Sequence, residues 1–424
     1  MGLSARESVA VVGGGVSGLT AAYVLSRTHD VTLYEADDRW GGHVHTHRLR
    51  RRDGGERAVD TGFIVFNERT YPLLCRLFAE LGVASQQSEM SLSIACDGCG
   101  LEYSGGQGPR GIFAQRRRVA SPRFLHLLGQ IPRFHRAARR HLTARDTDPG
   151  LTWGGFLARE RFGPDFVRHF ALPFVACVWS CAPGTAAGYP ARHLFQFLDH
   201  HGLLAIRASP RWRTVTGGSA TYVRAIVDRL PHTRVATPVR AVERHADDVV
   251  VHTRAGDTDR YDRVVVATHA DDAARLLPDA ADAERADLAA IEYSENEMWL
   301  HHDDRLLPAA KPARSSWNYR LDACHGRTDG VLVSYWMNRL QRLDVDDDVV
   351  ATLNPGSRVD PSTVLARATY RHPIFTPAAL AAASRLRDSG GPRLAFAGAH
   401  LGWGFHEDGC RSGVEAAARF GTRW

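Results

Sequence analysis

The sequence predicts an α/β protein, on three observations. These are a strand–helix–strand unit with a glycine-rich turn at the N-terminus, an apolar strand at Tyr261–Thr268, and a strand at Arg393–Ala397 that runs into glycine and a closing helix. The first carries most information. Ser8–Val12 is a short apolar β-type run, Leu19–Leu25 has helical periodicity, and Val31–Tyr34 is a second strand ending at Glu35. Between the first strand and the helix stands Gly13-Gly14-Gly15-Val16-Ser17-Gly18. Gly13, Gly15 and Gly18 fall where a tight turn, a close backbone approach to a diphosphate and helix–strand packing each exclude a Cβ, while Val16 and Ser17 open the helix. The amides of that helix N-terminus then face an anion. Glu35 follows Gly13 by 22 residues, placed to accept hydrogen bonds from a ribose diol and to disfavour a 2′-phosphate. Strand, glycines, helix, strand and acid arrive in order, which predicts a bound dinucleotide.

With 424 residues the chain has room for two or three domains, and 44% hydrophobic with 24% charged residues is ordinary globular composition. No apolar run approaches the roughly 18 residues of a spanning helix, and no secretory pattern precedes the first strand. The expected compartment is the cytoplasm. The net charge is +6, and Lys311, flanked by prolines and read as a surface loop, is the one lysine. Arginines cluster at Arg48, Arg50, Arg51 and Arg52, at Arg116–Arg118, and at Arg133, Arg136, Arg139 and Arg140. Such runs are either solvated surface or sites for polyanions. No zinc-finger, RNA-recognition or helix-turn-helix pattern supports nucleic acid as a partner.

No metal is expected. Cys96-Asp97-Gly98-Cys99 reads as a two-residue hairpin turn with cross-strand thiols, because a structural zinc needs a second pair of ligands. His43, His45 and His47 would share one strand face, but no neighbouring acid or cysteine completes a ligand set.

Glu35-Ala36-Asp37-Asp38-Arg39-Trp40-Gly41-Gly42-His43 resembles the FAD-dependent amine oxidase, phytoene desaturase and protoporphyrinogen oxidase superfamily. The resemblance implies FAD as cofactor, with Ala36, Arg39, Gly41, Gly42 and His43 around the diphosphate and flavin. A phosphate contact would suit the Arg39 guanidinium. Asp60-Thr61-Gly62-Phe63-Ile64 matches the segment whose backbone passes the isoalloxazine ring. Val239 fits the position that reaches the adenine, and Val264–Thr268 is similar to the strand that closes on Ala-Thr. Gly398, Asp408, Gly409 and Ser412 fit the last flavin-contacting element, although Ala399 stands where an acid is common. The implied fold is a Rossmann-type (glutathione-reductase-like) FAD-binding domain, discontinuous over 1–70, 214–275 and 385–424. An α+β substrate domain, 71–213 with 276–384, is inserted in it.

The resemblance also implies an oxidoreductase that moves hydride from a C–H bond to the flavin. An amine substrate would call for a buried lysine, which Lys311 does not supply, and an aromatic cage, for which Trp403, Trp336 or Tyr335 are available. Further stretches are similar to a bacterial branch of the superfamily associated with cyclopropane-fatty-acyl synthase-like methyltransferases. They are Asp60–Tyr71, Tyr103–Gly105, Trp212–Ser219, Ser316–Tyr319, Tyr335–Asn338 and Gly404–Gly409. That branch implies desaturation of a methylated fatty-acyl chain of a lipid, with a lipid methyltransferase as possible partner. Amine oxidation, redox-neutral isomerisation of a double bond and a non-enzymatic FAD-containing partner remain alternatives. Trp403, His406 and Glu407 are the catalytic candidates; His406 and Glu407 either relay a proton or hold the turn. The arginine helix, with Ile131, Phe134, His135 and Ala138 as an apolar stripe, either docks on an anionic membrane face or packs on its own domain.

Overall fold

The computed structural model describes residues 6–50, 54–144, 148–204, 210–324, 330–344 and 347–424. Arg51 and Arg52 lie outside the described residues. The central layer is a five-stranded parallel sheet. Its strands are β1 (Ser8–Val12), β2 (Asp30–Tyr34), β3 (His232–Arg234), β4 (Arg263–Val266) and β5 (Leu394–Phe396), in the order β3-β2-β1-β4-β5. Strand alternation turns Val9 and Val11 to one face and Ala10 and Val12 to the other, and each pair is buried in a separate core. A parallel sheet covered on both faces reads as a continuous apolar run, which is why Ser8–Val12 shows no polar alternation.

Two helices define the mouth of this layer: α1 (Val16–Leu25) and the C-terminal α2 (His406–Arg419). They cross with almost no side chain between them. A Cβ on Gly413 would stand 2.4 Å from the Ser17 carbonyl oxygen, and one on Gly409 would stand 2.6 Å from Val16 Cγ1. On the other side of α1, a Cβ on Gly18 would overlap the Gly13 carbonyl oxygen at 1.9 Å.

A seven-stranded mixed sheet forms the second layer. In spatial order its strands are Val364–Pro373, Tyr293–His301, Val350–Leu353, Val333–Trp336, Trp317–Leu321, Leu92–Cys96 and Leu101–Ser104. All pairings are antiparallel except that of Trp317–Leu321 with Leu92–Cys96. A helical cap over one face includes Pro122–Thr143 and the run from Pro164 to Trp179, and its aromatic core holds Phe134, Trp153, Phe156, Phe166 and Phe195. The small sheet Phe66–Asn67, Trp212–Val215 and Ser85–Gln87 joins the two layers. No described helix is long and apolar enough to cross a membrane.

Three local expectations are corrected. Cys96 pairs with Leu101, so the turn runs Asp97–Gly100 and Cys99 lies within it; Gly100, at φ +61°, allows the longer turn. The strand Thr46–Arg50 holds His47 alone; His45, just before it, lies beside His47 with ring centroids 4.0 Å apart, whereas His43 lies in the preceding turn and faces elsewhere. In the arginine helix Phe134 and Ala138 are buried in its own domain's core and Ile131 packs against it, so that stripe is not a free face.

The helix crossing yields a test. Gly413→Ala should destabilise the protein by about 1–3 kcal/mol, read as a lower urea midpoint, and should lower the bound-cofactor fraction because α1 and α2 can no longer close.

Candidate active site: a cofactor cleft ending in buried histidines

Both helix N-termini, α1 and α2, open onto one cavity of about 690 Å³. It runs from Thr237–Arg240 past Gly13–Ser17 and Glu35–Asp37 to His43, Phe405 and His406. The α1 N-terminus has neither a side-chain cap nor an acid in its first turn, so its amides stay available to an anion. A Cβ built on Gly15 meets nothing within 4 Å, since that position faces open cleft. Gly13 sits at φ +110°, with the Ala267 carbonyl oxygen 2.7 Å from where its Cβ would be, so only glycine makes this turn.

Glu35 ends β2 as the sequence requires. Its Oε2 accepts the Gly14 amide at 2.8 Å and its Oε1 the Asp37 amide at 2.9 Å. Burial raises its carboxyl above the usual range, opposed by those two amides. Ala36, Gly41, Gly42, His43, Val239, Thr268 and Gly398 also line the cleft. A dinucleotide would fit this cradle, with Gly13–Ser17 to hold a diphosphate, Glu35 a ribose, Val239 an adenine and the His43 and His406 end a flavin.

The other expected residues stand one layer back. The Arg39 guanidinium donates to the carbonyls of Val44 (3.0 Å) and Gly42 (2.9 Å), and so shapes the Gly41–Val44 turn instead of reaching the cleft. The Thr61 hydroxyl bonds Tyr370 at 2.7 Å and His47 at 3.0 Å. Gly62 comes so close to His43 that a Cβ would lie 2.0 Å from the His43 carbonyl oxygen. Phe63 stacks on His406 at 3.8 Å, and the Ile64 carbonyl accepts from Thr214. Asp408 accepts the Phe405 amide at 3.0 Å and caps α2, and burial pushes its carboxyl up to about 6. Ser412 Oγ accepts the Gly398 amide at 2.9 Å and donates to the Gly409 carbonyl, tying α2 to β5.

Two of the three catalytic candidates lie off the cleft. Glu407 accepts the amides of Leu73 and Leu74, both at 3.0 Å, and so anchors the start of the helix Pro72–Leu81. Trp403 packs among Phe197, His200 and His201, away from the cavity wall. Trp336 and Tyr335 do not line the cleft either. Only His406 does. Its Nε2 shares a hydrogen bond with the Tyr222 hydroxyl at 3.2 Å, and burial lowers its pKa to about 3.

The main residues missed from sequence are more histidines. His269, His372 and His400 line the same cavity, alongside Tyr293, Arg371 and Phe405. Burial lowers the pKa of His43, His372 and His400 to about 3 and that of His269 to about 4, so all are neutral at pH 7. His372 Nδ1 accepts from the Asn296 amide at 3.1 Å, which leaves its Nε2 as the proton carrier. His269 directly follows Thr268, and His372 follows the buried Tyr370 by two on one strand. Those offsets were the available signals. Lys311 is exposed in the short turn Lys311–Ala313 and does not line the cleft.

Glu35→Gln should weaken FAD binding about 10–100-fold, the scale of one charge-assisted contact, measured by flavin fluorescence during reconstitution of the stripped protein.

The sequence profile described as flavin containing amine oxidoreductase matches residues 16–420. A coproporphyrinogen III oxidase of Mycobacterium leprae is 28% identical over 296 residues, 65% of this chain and 62% of that protein. The chain thus matches less than two thirds of that relative's length. Among solved structures, a CLA-producing fatty acid isomerase from P. acnes superposes with TM-score 0.72 at 16% identity, covering 99% of this chain and 100% of the other. Cyclohexylamine oxidase from Brevibacterium oxydans gives 0.70 at 16% identity, covering 98% of each chain. These likenesses carry the fold. With the profile spanning almost the whole chain and a cleft that fits FAD, the protein belongs to the flavin-containing amine oxidoreductase family of FAD-dependent enzymes.

Proposed function

We propose that this protein removes hydride from a C–H bond of a lipid, desaturating a fatty-acyl chain, in particular a methylated one. The observation that supports it is the composition of the flavin end of the cleft. Neutral imidazoles and aromatic rings line that end, and the chain's one lysine is exposed elsewhere. An ammonium substrate would find no lysine as base in the cleft, whereas an uncharged acyl chain brings no charge of its own to desolvate.

Desaturation breaks C–H bonds on two neighbouring carbons, one as hydride and one as proton. Bound FAD is the two-electron acceptor. The proton needs a base from the chain, and His406 is the one catalytic candidate that reaches the cleft. Phe63 fixes its ring plane and Tyr222 occupies one ring nitrogen. Glu407 and Trp403 have no part in the step on this geometry.

The lipid reading extends to a docking surface. Val119 is 53% exposed and Leu125 45%, and they lie on consecutive turns with exposed Arg116, Arg117 and Arg123. Apolar residues ringed by arginine suit an anionic bilayer, at about 1 kcal/mol per basic residue. Arg116→Glu combined with Arg117→Glu should abolish cosedimentation with phosphatidylglycerol vesicles and leave FAD content unchanged. Equal binding of both proteins would remove the membrane from the proposal.

The deciding experiment is an anaerobic titration of the holoprotein, followed by loss of the oxidised-flavin band. Phospholipids with methylated or monounsaturated chains should bleach it, and primary amines and polyamines should not. Bleaching by amines alone would overturn the proposal. Product formed without net oxidant use would identify double-bond isomerisation. His406→Asn should slow reduction at least about 100-fold with FAD retained; loss of FAD would assign His406 to holding the cofactor. Because burial lowers its pKa to about 3, His406 is already unprotonated at neutral pH. The rate of flavin reduction should therefore show no ascending limb from this group between about pH 5 and 8.

A further inference from the structure

We propose a structural zinc site, separate from the cofactor cleft, formed by Cys96, Cys99, Cys324 and His169. The four ligand atoms all lie within 4.8 Å of one another. Cys96 Sγ and Cys324 Sγ are 3.6 Å apart, and Cys99 Sγ and His169 Nε2 are 3.7 Å apart. A tetrahedral centre with zinc–sulfur bonds near 2.3 Å and zinc–nitrogen bonds near 2.0 Å separates its ligands by about 3.5–3.8 Å. Iron–sulfur clusters hold their cysteines around several metal atoms and use four thiolates in the common types. Three thiols and one imidazole at this spacing match one mononuclear zinc.

Three parts of the substrate-side layer deliver the ligands. Cys96 ends the strand Leu92–Cys96, and Cys99 lies in the turn that follows it. The Cys99 amide is hydrogen-bonded to the Cys96 sulfur. Gly100, at φ +61°, turns the chain directly after the second cysteine. Gly98 lets this turn sit on the other strand: a Cβ there would lie 2.9 Å from the Cys324 backbone nitrogen. Cys324 follows the strand Trp317–Leu321, which pairs in parallel with Leu92–Cys96. His169 comes from the helical cap, on a π-helical turn, Val167–Ala171, that breaks the regular run. Such turns carry one extra residue and aim a side chain that an α-helix would turn elsewhere. The Tyr103 hydroxyl donates to the His169 carbonyl at 2.7 Å and holds the turn.

An outer layer is also present. His169 Nδ1 faces Asp165 Oδ1 at 4.0 Å, and Asp165 is held by the Arg123 guanidinium. A carboxylate behind the imidazole orients a ligating histidine. The Arg118 guanidinium donates to the Cys99 carbonyl at 3.0 Å. Uptake of Zn²⁺ displaces three thiol protons to solvent, and the resulting centre, with a net charge of −1, lies near the Arg123 cation. None of the four ligands lines the cofactor cleft. With four protein ligands and no open position, the metal joins the hairpin, the neighbouring strand and the helical cap and takes no part in redox chemistry.

The test uses the full-length holoprotein, made without a histidine tag in zinc-supplemented medium. Elemental analysis should give about one zinc per chain. Cys99→Ser and Cys324→Ser should each lower that at least about tenfold while the flavin-to-protein ratio holds. Where the variants fail to fold, the wild type decides. After chelation and anaerobic addition of Co²⁺ it should show thiolate charge-transfer and tetrahedral d–d bands. Absence of metal and of cobalt bands, with all seven cysteines titrating as free thiols, would overturn the site. A Cys96–Cys324 disulfide in the unreduced protein would overturn it as well.

Discussion

The structure depends on how closely two helices can approach. Gly409 and Gly413 of α2 lie on Val16, Ser17 and Ala21 of α1, and Gly18 of α1 lies on the turn at Gly13. Gly413 and Gly18 meet backbone and Gly409 meets the Val16 and Ser17 side chains, so the absence of a Cβ at these three positions sets how closely the elements approach. That places two helix N-termini at the same cleft, each with amides facing inward and a positive dipole end. A cofactor with a diphosphate in its middle needs this arrangement. The consequence reaches the roof as well: Asp408 caps α2, and Glu407, beside it, anchors the helix Pro72–Leu81. One helix start therefore organises the cofactor floor and the entry to the substrate-side layer.

What was legible in the sequence follows from this constraint. Gly13, Gly15, Gly18 and Glu35 could be placed because the positions that exclude a Cβ or demand a carboxylate are local in the chain. Gly398, Gly409 and Ser412 could be placed by order along it. The positions left open by the sequence share a different cause. Arg39, Glu407 and Asp408 are charged residues in motif positions, and sequence alone does not say whether such a group points at a ligand or at backbone. Here each points at backbone: Arg39 at two carbonyls, Glu407 at two amides and Asp408 at one. A buried charge is stable only when its hydrogen bonds are met, and the nearest unmet groups are those of tight turns and helix starts.

The histidines were hidden for a second reason. His269, His372 and His400 come from three separate segments, and each looks unremarkable in its own. The strand Val364–Pro373 brings His372 over the cleft, and β4 hands the chain to His269 at its end. Cys96 and Cys99 were read as an isolated pair for the same reason, since Cys324 is 228 residues from Cys96 and His169 is 70 from Cys99. Long-range contacts between separate sheets and helices create both groups, and no local period announces them.

The charge inventory of the cleft constrains what can react there. Glu35 is held by the Gly14 and Asp37 amides, Asp271 by Arg371, and Asp272 by Arg275. Each of these acids accepts at least one hydrogen bond from a neighbouring amide or guanidinium. The imidazoles are different, because burial keeps them neutral and a neutral imidazole has one nitrogen free to accept. A substrate with its own positive charge would have to lose water against the neutral imidazoles and aromatic rings at the His43 and His406 end of the cleft. A long uncharged chain loses nothing by the same transfer and gains the burial of its methylenes, about 0.8 kcal/mol each. On the proposed reading, the cleft selects by the cost of desolvation before any chemistry begins, and the neutrality that would admit an acyl chain would also leave an imidazole ready to take its proton.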